Sequence, residues 1–129
     1  MYGGKIIRAY SDAPDKNVDG SFGNLLVIRS TINGQQVDIW YCHLNYGTPF
    51  ASNPLLGRIY QVNDQVYQGD FIGYSGKTGN AYKVPNPHLH LGVKNKDGKW
   101  IDPVNYINGS YNFATLQTDK GEINNIKCD

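Results

Sequence analysis

The stretch NLLVIRSTINGQQVDIWYCHL, residues 24–44, decides the fold. Residues 24–30 form an apolar run of strand length, and residues 37–44 form a second one. Asn33 and Gly34 between the runs are typical of a tight β-hairpin turn, because both residue types tolerate a positive φ. We therefore predict a buried antiparallel hairpin over this stretch.

The second strand of this hairpin is predicted to place alternate side chains on opposite faces of the sheet, because the pleat has a period of two. One predicted face carries Val37, Ile39, Tyr41 and His43, and the other carries Asp38, Trp40, Cys42 and Leu44.

Further short strands are predicted on both sides of the hairpin, separated by clusters of turn-forming residues. They cover residues 5–10, 70–75, 88–94 and 100–102, with long loops over residues 11–23, 45–64 and 76–87. Fifteen glycines and ten tyrosines, without a long helical pattern, favour the same architecture. The sequence therefore predicts an all-β domain, mainly antiparallel. The loop over residues 45–64 has a length typical of a wall or lid at a functional site.

Composition excludes several classes of partner. A net charge of +1 with 18% charged residues gives no electrostatic basis for binding nucleic acid or an anionic membrane. No apolar run is long enough to span a bilayer, and the first ten residues, MYGGKIIRAY, lack the apolar core of a signal peptide. The two cysteines, Cys42 and Cys128, leave open whether they pair or stay reduced.

The stretch PHLHLGV, residues 87–93, holds two of the three histidines. On a strand His88 and His90 project to the same side, while Leu89 and Leu91 are predicted to face the core. Two adjacent imidazoles suit a shared metal, or one ligand beside a proton donor; the alternative is a pair of surface histidines. His43 can join a metal site with His88 and His90 only if its strand lies beside theirs. The other candidate for a third metal ligand is a carboxylate.

Five segments in this order resemble the lysostaphin/LytM-type zinc metallopeptidases. They are GNLLVIR (23–29), WYCHL (40–44), VYQGDFIGYSGKTGNA (66–81), PHLHLGV (87–93) and IDPVNYI (101–107). The resemblance implies a compact antiparallel β-domain over residues 1–107 with an open groove. Residues 108–129 match no part of the family and are predicted to form an irregular tail.

The resemblance also implies a function and roles for five residues. Family members cut short peptide bridges or stems of bacterial peptidoglycan, which places them in the cell envelope or outside the cell. By position, His90 matches a zinc ligand, and His88 and His43 match the histidines that polarise the bound water or stabilise the oxyanion. Tyr41 and Thr78, in two of the matched segments, are predicted to bind substrate.

One departure from the family bears on activity. Family members carry two further zinc ligands in a His-x-x-x-Asp motif upstream of the strand that matches residues 5–10, but no histidine precedes His43 here. We therefore expect the chain to begin within the domain, to bind zinc weakly and to be inactive as a hydrolase. The alternative is a non-catalytic module that binds cell wall or peptide, or regulates. A missing leading strand would expose a sheet edge, which predicts a homodimer.

Overall fold

The computed structural model describes residues 2–11, 21–45, 52–53 and 58–106, and these form an almost entirely β structure. The main sheet contains β1 (Gly4–Tyr10), β2 (Asn24–Ile32), β3 (Gln35–Leu44), β6 (Gln65–Val66), β7 (His90–Asn95) and β8 (Trp100–Ile101). A small second sheet pairs β4 (Ser52–Asn53) with β5 (Arg58–Ile59). Two short 3-10 helices span Asn80–Lys83 and Pro103–Tyr106. No helix in these described ranges has the length and apolarity needed to cross a membrane.

The main sheet has the order β6-β1-β2-β3-β7-β8, and all its neighbouring strands are antiparallel. The predicted all-β antiparallel class is thus confirmed. The predicted hairpin is β2 and β3 at the centre of this sheet, and its turn residues Asn33 and Gly34 have φ values of 50° and 76°. Two consecutive positive φ values match the twist of the flanking strands, which is why an Asn-Gly pair is preferred there.

Both faces of the central hairpin are buried, so that each strand contributes to two hydrophobic clusters. The larger cluster contains Ile6, Leu26, Ile28, Val37, Ile39, Tyr41, Leu44, Tyr60, Val66 and Val93. The smaller cluster, on the other face, contains Leu25, Val27, Trp40 and Cys42, with Ile7 and Phe22 packed against it. Burying a large aliphatic side chain stabilises a fold by about 1.5–3 kcal/mol, so the larger cluster is the principal core.

Two predicted strands need correction. Residues 70–75 do not form a strand: Asp70 closes a turn by accepting a hydrogen bond from the backbone N–H of Tyr67, and Ser75 makes only an isolated bridge to Leu44. The strand predicted from His88 begins at His90, because His88 pairs with Gly76 and not with β3. Ser75 and Gly76 therefore lie between the end of β3 and His88.

One edge of the sheet differs from the expected open edge. β6 pairs with the first residues of β1, and the backbone N–H of Ile6 donates a hydrogen bond to the carbonyl of Asp64. The proposed homodimer stays a prediction. Cys42 is fully buried in the smaller cluster, whereas Cys128 and the predicted tail over residues 108–129 lie outside the described residues.

Candidate active site

The three histidines of the chain come together at the junction of β3 and β7. The ring of His43 lies 5.6 Å from that of His88 and 5.4 Å from that of His90, measured between centroids. His90 is directly opposite Cys42 across the β3–β7 ladder, which puts the ends of the two strands side by side. The strand of His43 therefore lies beside the strand of His90, as the sequence analysis required for His43 to join the site. We call His43, His88 and His90 the histidine cluster.

A β-bulge directs His43 toward this cluster. Between the pairs Leu26↔Tyr41 and Asn24↔Leu44, β3 carries one residue more than β2. His43 has a φ of 59°, a left-handed conformation that non-glycine residues seldom adopt. The strict alternation predicted for this strand is therefore wrong at its last two residues: Leu44 joins the principal core with Tyr41, and His43 turns toward His90. Bulges of this kind commonly re-aim a side chain next to a functional site.

Thr78 holds the bulge in place from the following loop. Its buried hydroxyl donates a hydrogen bond to the carbonyl of Leu44 (2.7 Å) and accepts one from the backbone N–H of Asn24 (2.9 Å). Its carbonyl oxygen lies 2.8 Å from Nδ1 of His43. One residue thus ties the start of β2 to the end of β3 and orients the imidazole.

Glycines on either side of this contact allow the close approach. A Cβ on Gly23 would lie 2.3 Å from the hydroxyl oxygen of Thr78, and a Cβ on Gly79 would lie 2.4 Å from the backbone nitrogen of Gly23. Both residues have positive φ values, 65° and 71°, which L side chains rarely adopt. The Lys-Thr-Gly segment at residues 77–79 is the sequence signal for this arrangement.

The hydrogen bond to Thr78 sets the tautomer of His43. A carbonyl can only accept, so Nδ1 carries the proton and Nε2 of the neutral ring is left as an acceptor. Burial, aided by the neighbouring His90 and His88 and opposed by the Thr78 hydrogen bond, lowers the pKa of His43 to about 4. His43 is therefore a neutral base at neutral pH.

The two predicted substrate-binding residues, Tyr41 and Thr78, are both buried. Tyr41 packs in the principal core, where burial raises its pKa to about 12, and it lines a cleft of about 280 Å³ together with Leu44 and Leu89. Leu89 was predicted to face the core, but it is 46% exposed and sits on the wall of this cleft. The side chain of Thr78 is fully buried. Substrate contact by Tyr41 and Thr78 stays a prediction.

Sequence reasoning missed Asn24, whose buried side chain donates a hydrogen bond to the carbonyl of Asn45 just beyond β3. A polar residue heading an apolar strand was the available signal.

The ring nitrogens of the histidine cluster are the candidates for binding a metal. Nδ1 of His43 faces the Thr78 carbonyl and Nδ1 of His88 lies 3.2 Å from the carbonyl of Asn86, which leaves one ring nitrogen of each for a metal. Among the described residues, no group of three or more His, Cys, Asp or Glu side chains is arranged to hold a metal ion. The histidine cluster by itself therefore does not fit a catalytic zinc, which takes three protein ligands.

Comparison with known proteins gives two matches. Residues 2–103 match Peptidase family M23. The chain is also 30% identical over 115 residues to Endolysin 2638A of Staphylococcus phage 2638A, an alignment covering 88% of this chain and 20% of the endolysin. The chain thus spans about a fifth of the length of that relative. No solved structure gives a significant match.

Replacing Thr78 tests its role in the bulge. Thr78→Val keeps the shape but leaves the N–H of Asn24 and the carbonyl of Leu44 without their partner, so we expect the free energy of unfolding to fall by about 2–4 kcal/mol. Thr78→Ser keeps the hydroxyl and should lose only about 1 kcal/mol. Urea denaturation measures both, and equal losses in the two variants would contradict the role assigned to the hydroxyl.

The state of His43 can be read directly. Long-range ¹H–¹⁵N correlation spectra of chelator-treated protein should show its neutral ring protonated on Nδ1, and this state should persist as the pH falls below 6.5, because burial lowers the pKa to about 4. His43→Gln assigns the signal. A ring protonated on Nε2 at pH 7, or one that becomes charged near pH 6.5, would refute the assignment.

Proposed function

Because the chain belongs to peptidase family M23, we propose that the histidine cluster is the working site of a peptidase-like domain for peptides of bacterial peptidoglycan. The staphylococcal phage endolysin among its relatives supports this choice of substrate. A domain with that substrate works in the cell envelope or outside the cell.

The observation that carries this proposal is the convergence of all three histidines at the end of β3. His43 and His90 are buried, and His88, which is partly exposed, stands beside them. A surface accident would not require a bulge, a left-handed backbone and a buried threonine to bring His43 into place. Backbone strain of this kind costs about 1–3 kcal/mol, and it clusters at functional sites.

The roles we propose follow from protonation and exposure. His43 presents Nε2 as an acceptor, which suits it to take a proton from a water molecule. His88, the most accessible of the three, is placed to meet the substrate. Because its Nδ1 faces the carbonyl of Asn86, it would donate to a developing oxyanion only through Nε2 of the doubly protonated ring. His90 is the metal ligand that the family pattern assigns, and it would act together with ligands other than these histidines.

Hydrolysis is the finer part of the proposal. A zinc ion, when bound, would polarise the scissile carbonyl and acidify a water molecule. The histidine cluster does not complete a zinc site among the described residues, so we assign no step to the metal. We propose that this chain alone does not hydrolyse peptidoglycan. The same observation favours a second candidate, a non-catalytic module that binds wall peptide or regulates.

Peptidoglycan binding and cleavage test the proposal together. We expect the chain to co-sediment with purified peptidoglycan, and His88→Ala to reduce the bound fraction several-fold because it removes an accessible side chain of the cluster. Lys99→Ala, in the β7–β8 turn, is the matched control and should bind as the parent does. No new amino groups should be released. Absence of binding would refute the substrate, and release of amino groups would refute the proposed inactivity.

Zinc content tests the ligand count. Elemental analysis of the chain after dialysis against zinc-free buffer should find well under one zinc per chain, because tight sites need three or four ligands. One zinc per chain that His90→Ala removes would show that the chain completes its own site.

A further inference from the structure

A group of aromatic and cationic side chains lies beside the histidine cluster. Trp40 is two residues before Cys42 in β3, and it pairs with Gly92 where Cys42 pairs with His90. Two residues of a strand span about 6.8 Å, and both project to the same face. Gly92 has no side chain, so Trp40 is not covered from the position directly opposite it.

Two cations lie over this tryptophan. Nζ of Lys94 is 4.9 Å from the ring centroid of Trp40 and 4.3 Å from that of Trp100, and Cζ of Arg8 is 5.5 Å from Trp40. The two indole rings are 5.4 Å apart in an edge-on arrangement. We call Arg8, Trp40, Lys94 and Trp100 the tryptophan patch.

The tryptophan patch carries two positive charges, Arg8 and Lys94, and Asp38 lies opposite Lys94 in the β3–β7 ladder. Asp38, on the same face, is held by Arg29 through two hydrogen bonds of 2.8 and 2.9 Å. Within the described part of the chain the only other ion pair joins Arg58 to Asp64, so Arg8 and Lys94 have no acidic partner there. The contact of a cation with an indole face is weak at an exposed site, so an incoming carboxylate can replace it.

The tryptophan patch also contains an unpaired donor. Trp40 is 8% exposed, and its Nε1 is the one buried side-chain nitrogen or oxygen in the described ranges without a hydrogen-bond partner. A buried polar group left unpaired is destabilising, so an acceptor supplied by a ligand would stabilise this N–H.

We infer that the tryptophan patch is a subsite for a free carboxylate on the bound peptide, one strand repeat from the histidine cluster. This inference rests on the proposed function and names the chemical class of its substrate. The guanidinium of Arg8, the ammonium of Lys94 and the indole N–H suit the planar, singly charged carboxylate. The domain then prefers peptides with a free carboxylate over uncharged peptides of the same backbone.

Intrinsic fluorescence can test this, because both tryptophans of the chain belong to the tryptophan patch. The probes are N-acetyl-tetraglycine and its C-terminal amide, which differ only in the carboxylate, titrated at low salt with a chelator present. We expect the acid to change the emission and the amide to bind about tenfold more weakly. Lys94→Met should remove this preference, and Lys99→Met, a matched loss of charge in the adjacent turn, should keep it.

Several outcomes would overturn the inference. Equal binding of acid and amide would show that no carboxylate is recognised, and displacement of the acid by an equal concentration of inorganic phosphate would show an unselective anion site. Thermal melts check folding, and Arg8→Met serves if Lys94→Met does not fold. The fluorescence titration needs neither metal nor cleavage. If the chain binds peptidoglycan but does not prefer the acid to the amide, the subsite alone is refuted. Absence of peptidoglycan binding with the preference intact refutes the proposed function.

Discussion

The hydroxyl of Thr78 is the contact on which the histidine cluster depends. It fills the gap that the β-bulge opens between β2 and β3, because it pairs with one backbone group from each strand. The carbonyl of the same residue then fixes the imidazole of His43. Two glycines with left-handed backbones, Gly23 and Gly79, let the loop come close enough for these bonds. The geometry of the cluster is thus maintained by a buried polar network inside an otherwise apolar sheet, where an unmade hydrogen bond is costly.

One face of the sheet stabilises the fold, and the other carries the candidate functional residues. One face carries the principal core, which contains most of the fully buried aliphatic side chains and provides most of the stability. The other face carries the smaller cluster, the histidine cluster at the ends of β3 and β7, and the tryptophan patch, to which β1 and β8 also contribute. The sheet positions Trp40 and His90, whereas the orientation of His43 also depends on Thr78 in the loop over residues 76–87. Under the proposed function, a bound peptide would run along this face from the imidazoles to Lys94.

Membership of family M23 and the geometry of the cluster bear on different parts of the function. The family gives the class of chemistry, and the roles that we propose rest on the state of the three imidazoles: a neutral one at His43, an accessible one at His88 and a buried one at His90. A free indole N–H and two cations without carboxylate partners in the described part of the chain add a basis for choosing among peptides. Substrate preference can therefore reside in this face of the sheet even where the metal chemistry needs further ligands.

The sequence by itself determined the central hairpin, the antiparallel all-β class and the two segments that carry the histidines, because these depend on local patterns: strand-length apolar runs, an Asn-Gly turn and a His-x-His spacing. It did not determine the direction of His43 and Leu44, since a bulge is set by pairing with residues far along the chain. Contacts between distant residues also decided two other outcomes. Residues 70–75 have the pattern of a strand but pair with β3 only through the isolated bridge of Ser75, and Leu89 lies exposed at a cleft. Only the tertiary structure decided that Thr78 acts through buried hydrogen bonds and that Trp40 lies beneath two cations. Such contacts join residues tens of positions apart, and no local pattern encodes them.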